Sequence, residues 1–208
     1  DEIVGILTPI CKSWGTDLGN ELTSIALQIH GGMGYIEETG AAQHYRDVRI
    51  AAIYEGTNGV QAADLVGRKL GVRRGSSFNE YIAEIASLDK ELAKAGKSFA
   101  SIRSNLAESV AALKKATGWM LRHGLQDPNS ILAGSSPYLR MWGETLGGWL
   151  LAKGALAAAE MGDKKLAEDK LVLARFYAEQ LLPRGASLLG AVTAGKDDLF
   201  ALDAAALT

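Results

Sequence analysis

One carboxylate, Glu55, stands alone between an apolar run at residues 50–53 and a Gly56-Thr57 turn. Such a position favours partial dehydration, which raises the pKa of a carboxyl group toward the range that suits a general base. The glycine lets a ligand approach the backbone closely, and a threonine there can cap the next helix and direct backbone N–H groups outward. Taken alone, residues 54–57 favour a simpler interpretation, a structural carboxylate that the dipole of a nearby helix N-terminus stabilises.

Two more sequence blocks accompany this turn. Residues 28–35 are QIHGGMGY, and residues 45–47, YRD, come between them and residues 53–57, IYEGT. In their order and spacing, the three blocks resemble the C-terminal part of the flavin-dependent acyl-CoA dehydrogenases, over residues 1–70. The rest of the chain is similar, in length and helical pattern, to the additional helical domain that follows the dehydrogenase core in some bacterial members. The 3-methylmercaptopropionyl-CoA dehydrogenase type is one such member.

The resemblance implies an enzymatic role for Glu55 and reverses the preference for a structural one. In the resembled enzymes this glutamate removes the α-proton of an acyl-CoA thioester, and the β-hydrogen leaves as hydride to N5 of FAD, which gives a trans-2-enoyl-CoA. Hydrogen bonds from the backbone N–H of the same glutamate and from a flavin ribityl hydroxyl stabilise the enolate as it forms. The implied substrate-binding residue is Gly56, in a site that excludes water.

The resemblance also implies FAD contacts in two segments. The first lies against the adenine and pyrophosphate half of FAD, usually from the neighbouring subunit, and its residues are Gln28, Ile29, His30, Gly31 and Gly32. It closes a helix, unlike the glycine-rich loop of doubly wound folds, which follows a strand and opens a helix. The second follows the base and consists of Thr57, Asn58 and Gly59. Many members have glutamine where this chain has Gly59, so only a backbone role is implied there.

The implied enzyme is a homo-oligomer, a dimer or a tetramer, which oxidises an acyl-CoA and passes the electrons to an electron-transferring flavoprotein. The rival hypothesis is a non-enzymatic helical interaction module that has kept the sequence blocks but not the activity. Two properties stay open, the acyl chain and the task of residues 73–208, which either extend the subunit interface or cover the acyl pocket.

The composition argues against several other classes of protein. The chain has 208 residues and a net charge of −2, which gives no reason to propose nucleic acid or an anionic membrane as a partner. No apolar run reaches the length of a membrane span. The one cysteine, Cys11, is expected to be buried as a small apolar residue; it allows no intrachain disulfide, which suits a predicted cytoplasmic location. His30 and His44 lack companion ligands at metal-binding spacing, so no metal site is predicted.

The helical periodicity predicts an all-α fold in two parts. Residues 1–72 are predicted to form the C-terminal half of the acyl-CoA dehydrogenase helical domain, and residues 73–208 an appended domain like a four-helix bundle. The predicted boundary is residues 71–77, which combine glycines, serines and two arginines in a solvated linker. The first residue is Asp, and the sequence is typical of helix from there on, so we expect the chain to be a piece of a longer protein.

Several details of these helices are also predicted. Thr8-Pro9 is expected to begin a helix that Gly31-Gly32 ends, with an apolar stripe that includes Leu22, Ile25 and Ile29. Arg46-Asp47 is interpreted as an ion pair that fixes the loop before Glu55. Four amphipathic helices follow the boundary, near residues 78–92, 99–120, 139–156 and 166–192, and Leu173 is among the apolar residues expected to line the last one. Pro183 should kink or split the last one. Small residues near one face of the third, Gly143, Gly147, Gly154 and Ala158, predict a central helix that other helix backbones approach closely.

Three expectations concern the chain by itself. Because the implied flavin site is built from several domains and two subunits, we expect this chain alone to fold, to bind FAD weakly or not at all, and to have no dehydrogenase activity. Apolar faces that lack the rest of the core, including Ile10, Trp14, Val60 and Leu65, are expected to drive self-association, most simply as a symmetric dimer. The alternative is that the appended bundle covers these faces within the same chain.

Overall fold

The structure, a computed structural model, describes residues 2–207, and within this range the chain is helical and contains no β-strand. The α-helices are α1 (Glu2–His30), α2 (Gly32–Tyr35), α3 (Ala41–Arg49), α4 (Asn58–Asp64), α5 (Ser76–Ser87), α6 (Asp89–Lys94), α7 (Ala100–His123), α8 (Pro128–Ala133), α9 (Ser135–Glu160), α10 (Lys164–Gln180), α11 (Leu182–Ser187) and α12 (Leu189–Thr193). Leu65–Lys69 continues α4 as a π-helix. Short 3-10 turns lie at Glu37–Thr39, Ile50–Ala52, Val72–Gly75, Lys97–Phe99, Asp197–Phe200 and Ala204–Leu207. The prediction of an all-α fold is confirmed.

Helix α1 runs unbroken through Pro9, so the prediction that the helix starts at Thr8-Pro9 is wrong. A proline inside a helix costs about 3 kcal/mol, because it removes a backbone hydrogen bond and crowds the preceding turn. Ile6 and Ile10 lie on either side of it and are buried in the core. Full burial of each isoleucine contributes about 1.5–3 kcal/mol, so packing on both sides of the proline outweighs its local cost.

Helix α9 is central, as predicted. It packs against α1, α4, α7, α10 and α11. Its residues Tyr138 and Trp142 are fully buried. The Trp142 ring meets Phe78 edge to face, with ring centroids 5.5 Å apart, and stacks on Tyr81 at 5.9 Å. This aromatic cluster joins α5 to α9 and forms the centre of the core.

The glycines of α9 accept side-chain rings more than helix backbones, which corrects the prediction. A Cβ built on Gly143 would lie 2.3 Å from the Trp14 ring, and one built on Gly147 would lie 2.4 Å from the Tyr177 hydroxyl. Gly154 has no atom within 4 Å of such a Cβ. Two of the small residues therefore make room for aromatic side chains from α1 and α10, and the third has no close neighbour.

The other bundle helices depart from the prediction in detail. The first predicted helix is two, α5 and α6, which meet at Leu88. The last is divided into α10 and α11, with Pro183 in the first turn of α11, which confirms the expected break. Leu173 was predicted to face inward but is 53% exposed. Helix α10 instead buries Ala174 and Ala178, because small residues let it lie close against α9.

One hydrophobic core extends across residue 72. It contains Ile10 and Leu65 together with residues of α5, α7 and α9. The expectation that these two side chains lose their cover is therefore wrong, because the second part of the chain buries them. Trp14 is half-buried against α9, and Val60 is 58% exposed. The division of the chain at residue 72 and the self-association both stay predictions.

Ion pairs link the segment Val72–Gly75, which joins the two predicted parts, to the helices α1 and α5. Arg73 and Arg74 adopt left-handed backbone conformations, with φ of 48° and 56°. The Arg73 guanidinium forms ion pairs with Glu2 of α1, at 3.4 Å, and with Glu80 of α5. This arginine therefore connects the first helix of the chain to the first helix after the boundary.

Candidate active site

The turn that carries Glu55 lies between two helical segments that fix its ends. The backbone N–H groups of Ile53 and Tyr54 donate to the carbonyl of Ile50, at 2.9 and 3.0 Å, and close the turn after α3. Thr57 is the N-cap of α4, and its hydroxyl accepts a hydrogen bond from the N–H of Val60 at 3.4 Å. The predicted capping role of Thr57 is confirmed.

Glu55 and Gly56 both have left-handed backbone conformations, with φ of 55° and 81°. This conformation suits glycine but costs a residue with a side chain about 1–2 kcal/mol. Backbone strain of this kind is concentrated at functional sites and persists only where the surroundings impose it. Glu55 is therefore held in an unfavourable conformation by its neighbours.

Two side chains hold the carbonyl groups of this strained pair. The Gln61 side-chain amide donates to the carbonyl of Glu55 at 3.0 Å. The Lys12 ammonium group, which comes from α1, donates to the carbonyl of Gly56 at 2.7 Å. A hydrogen bond to a charged group is worth about 1.5–3 kcal/mol, which is enough to offset the strain at Glu55.

Asn58 connects the same turn to α1 through its side chain. Its Oδ1 accepts from Lys12 at 2.8 Å, and its Nδ2 donates to Asp17 at 2.6 Å and to the carbonyl of Ser13 at 3.2 Å. Asn58 was predicted to contact FAD, and in the structure the polar atoms of its side chain are engaged within the chain. Sequence analysis missed Lys12 and Asp17, because no motif marks residues that act only through a contact distant in sequence.

The Glu55 side chain is exposed, so the expected partial dehydration is not provided by the described residues. The apolar run before it does not cover it, since Ile50, Ile53 and Tyr54 are themselves largely exposed. Exposed apolar residues also occur along α1, α2 and α3, and they include Leu22, Ile25, Ile29, Met33, Tyr35 and Tyr45. Leu22, Ile25 and Ile29 belong to the predicted apolar stripe of α1, and they lie at the surface of the molecule.

The second candidate segment lies at the far end of α1. Helix α1 ends at His30, and Gly31, with φ of 61°, ends it as predicted. Asn58 meets α1 near Asp17, and the helical rise from there to His30 is about 20 Å. The two predicted FAD-contacting segments are therefore not brought together within this chain.

Gln28 to Gly32 nevertheless fit a flavin pyrophosphate in one respect. A Cβ built on Gly31 or Gly32 would have no atom within 4 Å. The glycine backbone is thus open to close approach by a phosphate group. At the other segment Gly59 is equally uncrowded, with its nearest neighbour the Thr57 hydroxyl at 4.0 Å.

Two further predictions are tested by the ionic contacts. Arg46 pairs with Glu37 at 2.8 Å, so the interpretation of Arg46-Asp47 as an ion pair is wrong. Both partners are exposed, and such a pair contributes little stability. Cys11 is exposed, not buried, because the buried face of α1 is formed by residues such as Ile6 and Ile10.

Residues 2–207 contain neither a metal-binding cluster nor a membrane-spanning helix. No three His, Cys, Asp or Glu side chains converge there in a group that could hold a metal ion. No helix in residues 2–207 has both the length and the apolar character needed to cross a membrane.

Comparison with protein families decides the relationship. The family profile described as "Acetyl-CoA dehydrogenase C-terminal like" matches residues 79–203, and the one described as "Acyl-CoA dehydrogenase, C-terminal domain" matches residues 1–70. The chain belongs to the acyl-CoA dehydrogenase family. The Glu55 turn lies in the match to residues 1–70, and α9 lies in the match to residues 79–203.

Three curated relatives illustrate the similarity of this acyl-CoA dehydrogenase chain. The 3-methylmercaptopropionyl-CoA dehydrogenase of Ruegeria pomeroyi is 42% identical over 180 residues, which are 85% of this chain and 31% of the relative. The broad-specificity linear acyl-CoA dehydrogenase FadE5 of Mycobacterium tuberculosis is 28% identical over 217 residues, 97% of this chain and 35% of the relative. The caffeyl-CoA reductase-Etf complex subunit CarC of Acetobacterium woodii is 43% identical over 61 residues, 29% of this chain and 16% of the relative. The chain thus spans about a third of the length of the first two relatives.

Proposed function

We propose that this chain supplies the catalytic base, Glu55, and part of the flavin site of an FAD-dependent acyl-CoA dehydrogenase. The observation that carries the proposal is the left-handed Glu55-Gly56 turn, whose two carbonyl groups are held by Gln61 and Lys12. A carboxylate kept on a strained turn at the cost of stability is more typical of a reacting group than of a structural one.

In the proposed reaction Glu55 accepts the α-proton of an acyl-CoA thioester. The backbone N–H of Glu55 hydrogen-bonds the thioester oxygen, on which negative charge develops, and Gly56 lets the thioester approach the backbone closely. FAD supplies the acceptor for the β-hydride, so that two electrons leave the acyl chain and a trans-2-enoyl-CoA is formed. The left-handed φ of Glu55 sets the direction of its N–H and of its side chain together.

Water must be excluded from the base for this chemistry, and the exposed apolar surface around Glu55 indicates how. Ile53, Tyr54 and Val60 flank the turn and are largely exposed. Segments of the whole enzyme outside this chain would cover them, bury the turn and complete the pocket.

The placement of the FAD contacts supports a homo-oligomeric enzyme, a dimer or a tetramer. Thr57, the backbone of Asn58, and Gly59 would contact FAD beside the base. Gln28 to Gly32 lie about 20 Å farther along α1, and in line with the family resemblance their proposed contact is with the flavin of a neighbouring subunit. The electron-transferring flavoprotein is the proposed electron acceptor, and the name of the Acetobacterium relative, a subunit of an Etf complex, supports this choice. A cytoplasmic location stays a prediction.

The decisive experiment replaces the proposed base in the whole enzyme that carries this chain. Glu55→Gln should retain FAD and bind acyl-CoA, because the amide keeps the size of the side chain. It should lower turnover by roughly 10²–10⁴-fold, the typical effect of removing a general base. Loss of the flavin colour when acyl-CoA is added under anaerobic conditions measures the reductive step directly.

A matched control separates the loss of the base from a general effect of charge. Glu38 is an exposed glutamate in the turn before α3, and Glu38→Gln should leave turnover unchanged. Near-normal turnover in Glu55→Gln would remove Glu55 from the mechanism. Absence of flavin reduction in the unmodified protein would instead favour the rival hypothesis, a non-enzymatic helical module.

A further inference from the structure

We propose that Lys12 is a positioning residue for the reaction, which holds the Glu55-Gly56 turn in the conformation that aims the base. This inference rests on the proposed function of Glu55 and goes beyond it, because it assigns a task to a residue on a different helix, 44 positions away in the sequence from Gly56. Lys12 touches neither the carboxylate nor the reacting atoms and acts through the backbone of the turn.

The contacts of Lys12 converge on the turn. Its ammonium group donates to the carbonyl of Gly56 at 2.7 Å and to Oδ1 of Asn58 at 2.8 Å. It therefore contacts the residue immediately after the base and the first residue of α4, and it connects both to α1. An ammonium group has three donors and no acceptor, so it is suited to holding two oxygen atoms at one point.

The position of the lysine is fixed by its helix. Ile10 and Ser13 lie close to it on α1 and are buried, 1% and 3% exposed. The side chain of Lys12 is half-buried, with its charged end at the turn. Because the lysine stands on a packed stretch of α1, its 2.7 Å hydrogen bond restricts rotation of the Gly56 carbonyl.

The turn needs such an anchor because its conformation is unfavourable by itself. Gln61 holds the carbonyl of Glu55 from the α4 side, and Lys12 holds the next carbonyl from the α1 side. The hydrogen bond from Gln61 thus fixes the peptide group between Glu55 and Gly56, and the one from Lys12 fixes the peptide group between Gly56 and Thr57. Without Lys12, the chain can relax at Glu55 toward negative φ, which turns the carboxylate and its N–H away from a bound thioester.

A purely structural role for Lys12 makes a different prediction. Lys12 and Asn58 also join α4 to α1, so removal of the ammonium group lowers stability in either case. If stability were the only effect, each folded molecule would react at the normal rate. Positioning instead predicts a slower reductive step in the folded, FAD-loaded enzyme, because small misplacements of a reacting group cost roughly 10²-fold.

The test uses the whole enzyme with two substitutions at this position. Lys12→Met keeps the apolar stem and removes the donors, and it should lower the rate of flavin reduction at saturating acyl-CoA by roughly 10–100-fold. The FAD content and the Kd for acyl-CoA should stay within about 3-fold. Lys12→Arg keeps a charged donor and should restore most of the rate.

The control is a lysine that also ties two segments but lies away from the turn. Lys196 pairs with Asp127, the N-cap of α8. Lys196→Met should lower the melting temperature without changing the reductive rate. A normal reductive rate in Lys12→Met would overturn the inference, and so would a loss confined to FAD content or to acyl-CoA affinity.

A measurement on this chain alone separates failure of the inference from failure of the proposed function. The backbone chemical shifts of Glu55 in NMR spectra report whether its φ is positive. Lys12→Met should shift them away from the left-handed values, and Lys196→Met should not. Normal turnover in Glu55→Gln would refute the proposed function. Unchanged Glu55 chemical shifts in Lys12→Met would refute the positioning role, whatever the result for Glu55→Gln.

Discussion

Replacing Gly143 with alanine would place a methyl group inside the contact between α9 and α1. The new Cβ would lie 2.3 Å from Cγ of Trp14 and 2.6 Å from its Cδ1 and Cδ2. An indole ring cannot deform, and α9 is buried on most sides, so the two helices must move apart. Overpacking costs about 1–3 kcal/mol, and so short a contact lies at the upper end. Alanine recovers about 1 kcal/mol of helix propensity, which leaves a net loss of about 2 kcal/mol.

This loss should appear in urea and thermal unfolding of the chain followed by circular dichroism. For a protein of this size it corresponds to a fall of about 4–8 °C in Tm. Gly154→Ala, on the same helix, is the matched control, because no atom lies within 4 Å of its Cβ. It should raise Tm by about 2–4 °C through propensity alone. An equal rise in both variants would refute the close seating of Trp14 on Gly143.

Two further predictions follow from buried and ionic contacts. The hydroxyl of Tyr177 donates to the carboxylate of Glu144, which is 3% exposed, at 3.0 Å, and burial together with this carboxylate raises the pKa of Tyr177. Tyr177→Phe should therefore lower the free energy of unfolding by about 2 kcal/mol at neutral pH, measured in urea, and no loss would mean that the carboxylate finds another donor. A hydrogen bond from Lys196 lowers the pKa of Asp127 below its usual 3.8. A lowered carboxyl pKa stabilises the fold above the usual value, and this stabilisation is lost as the pH falls below about 4. Asp127→Asn should be less stable at pH 7 and should lose less stability on acidification, and parallel pH profiles for variant and wild type would contradict the assignment.

Local signals in the sequence predicted most of the helices. The glycines that end α1, the threonine that caps α4 and the proline that divides α10 from α11 act through backbone geometry within a few residues. Such effects do not depend on distant parts of the chain. The small residues near one face of α9 likewise predicted a central helix, and α9 does pack against several others.

The failures came from packing between distant segments. Pro9 is accommodated inside α1 because Ile6 and Ile10 are buried by other helices, which the local sequence does not reveal. Leu173 is exposed because α10 packs through smaller residues on its other side. Local sequence rules fail in these cases because the free energy gained by burying a side chain is as large as the local preference that it overrides.

The candidate site divides in the same way. The choice of Glu55 as the proposed base rests on the family blocks, whereas its left-handed backbone and the contacts that hold it are not encoded there. The hydrogen bond from Lys12 joins residues 44 positions apart, and no periodicity or motif encodes such a pair. The exposure of Glu55 was not predicted either. The apolar run before it suggested burial, but Ile50 and Ile53 of that run are themselves exposed.

Helix α1 links α9 to the Glu55-Gly56 turn. Lys12 and Trp14 are two positions apart, so they lie about 200° apart around the helix axis. Trp14 packs on α9 while Lys12 holds the Gly56 carbonyl on another face. A shift of α1 by about 1 Å would move the Lys12 ammonium group out of the geometry that holds the 2.7 Å hydrogen bond. Gly143→Ala in the whole enzyme should therefore slow flavin reduction as well as lower stability, whereas Gly154→Ala should change stability alone.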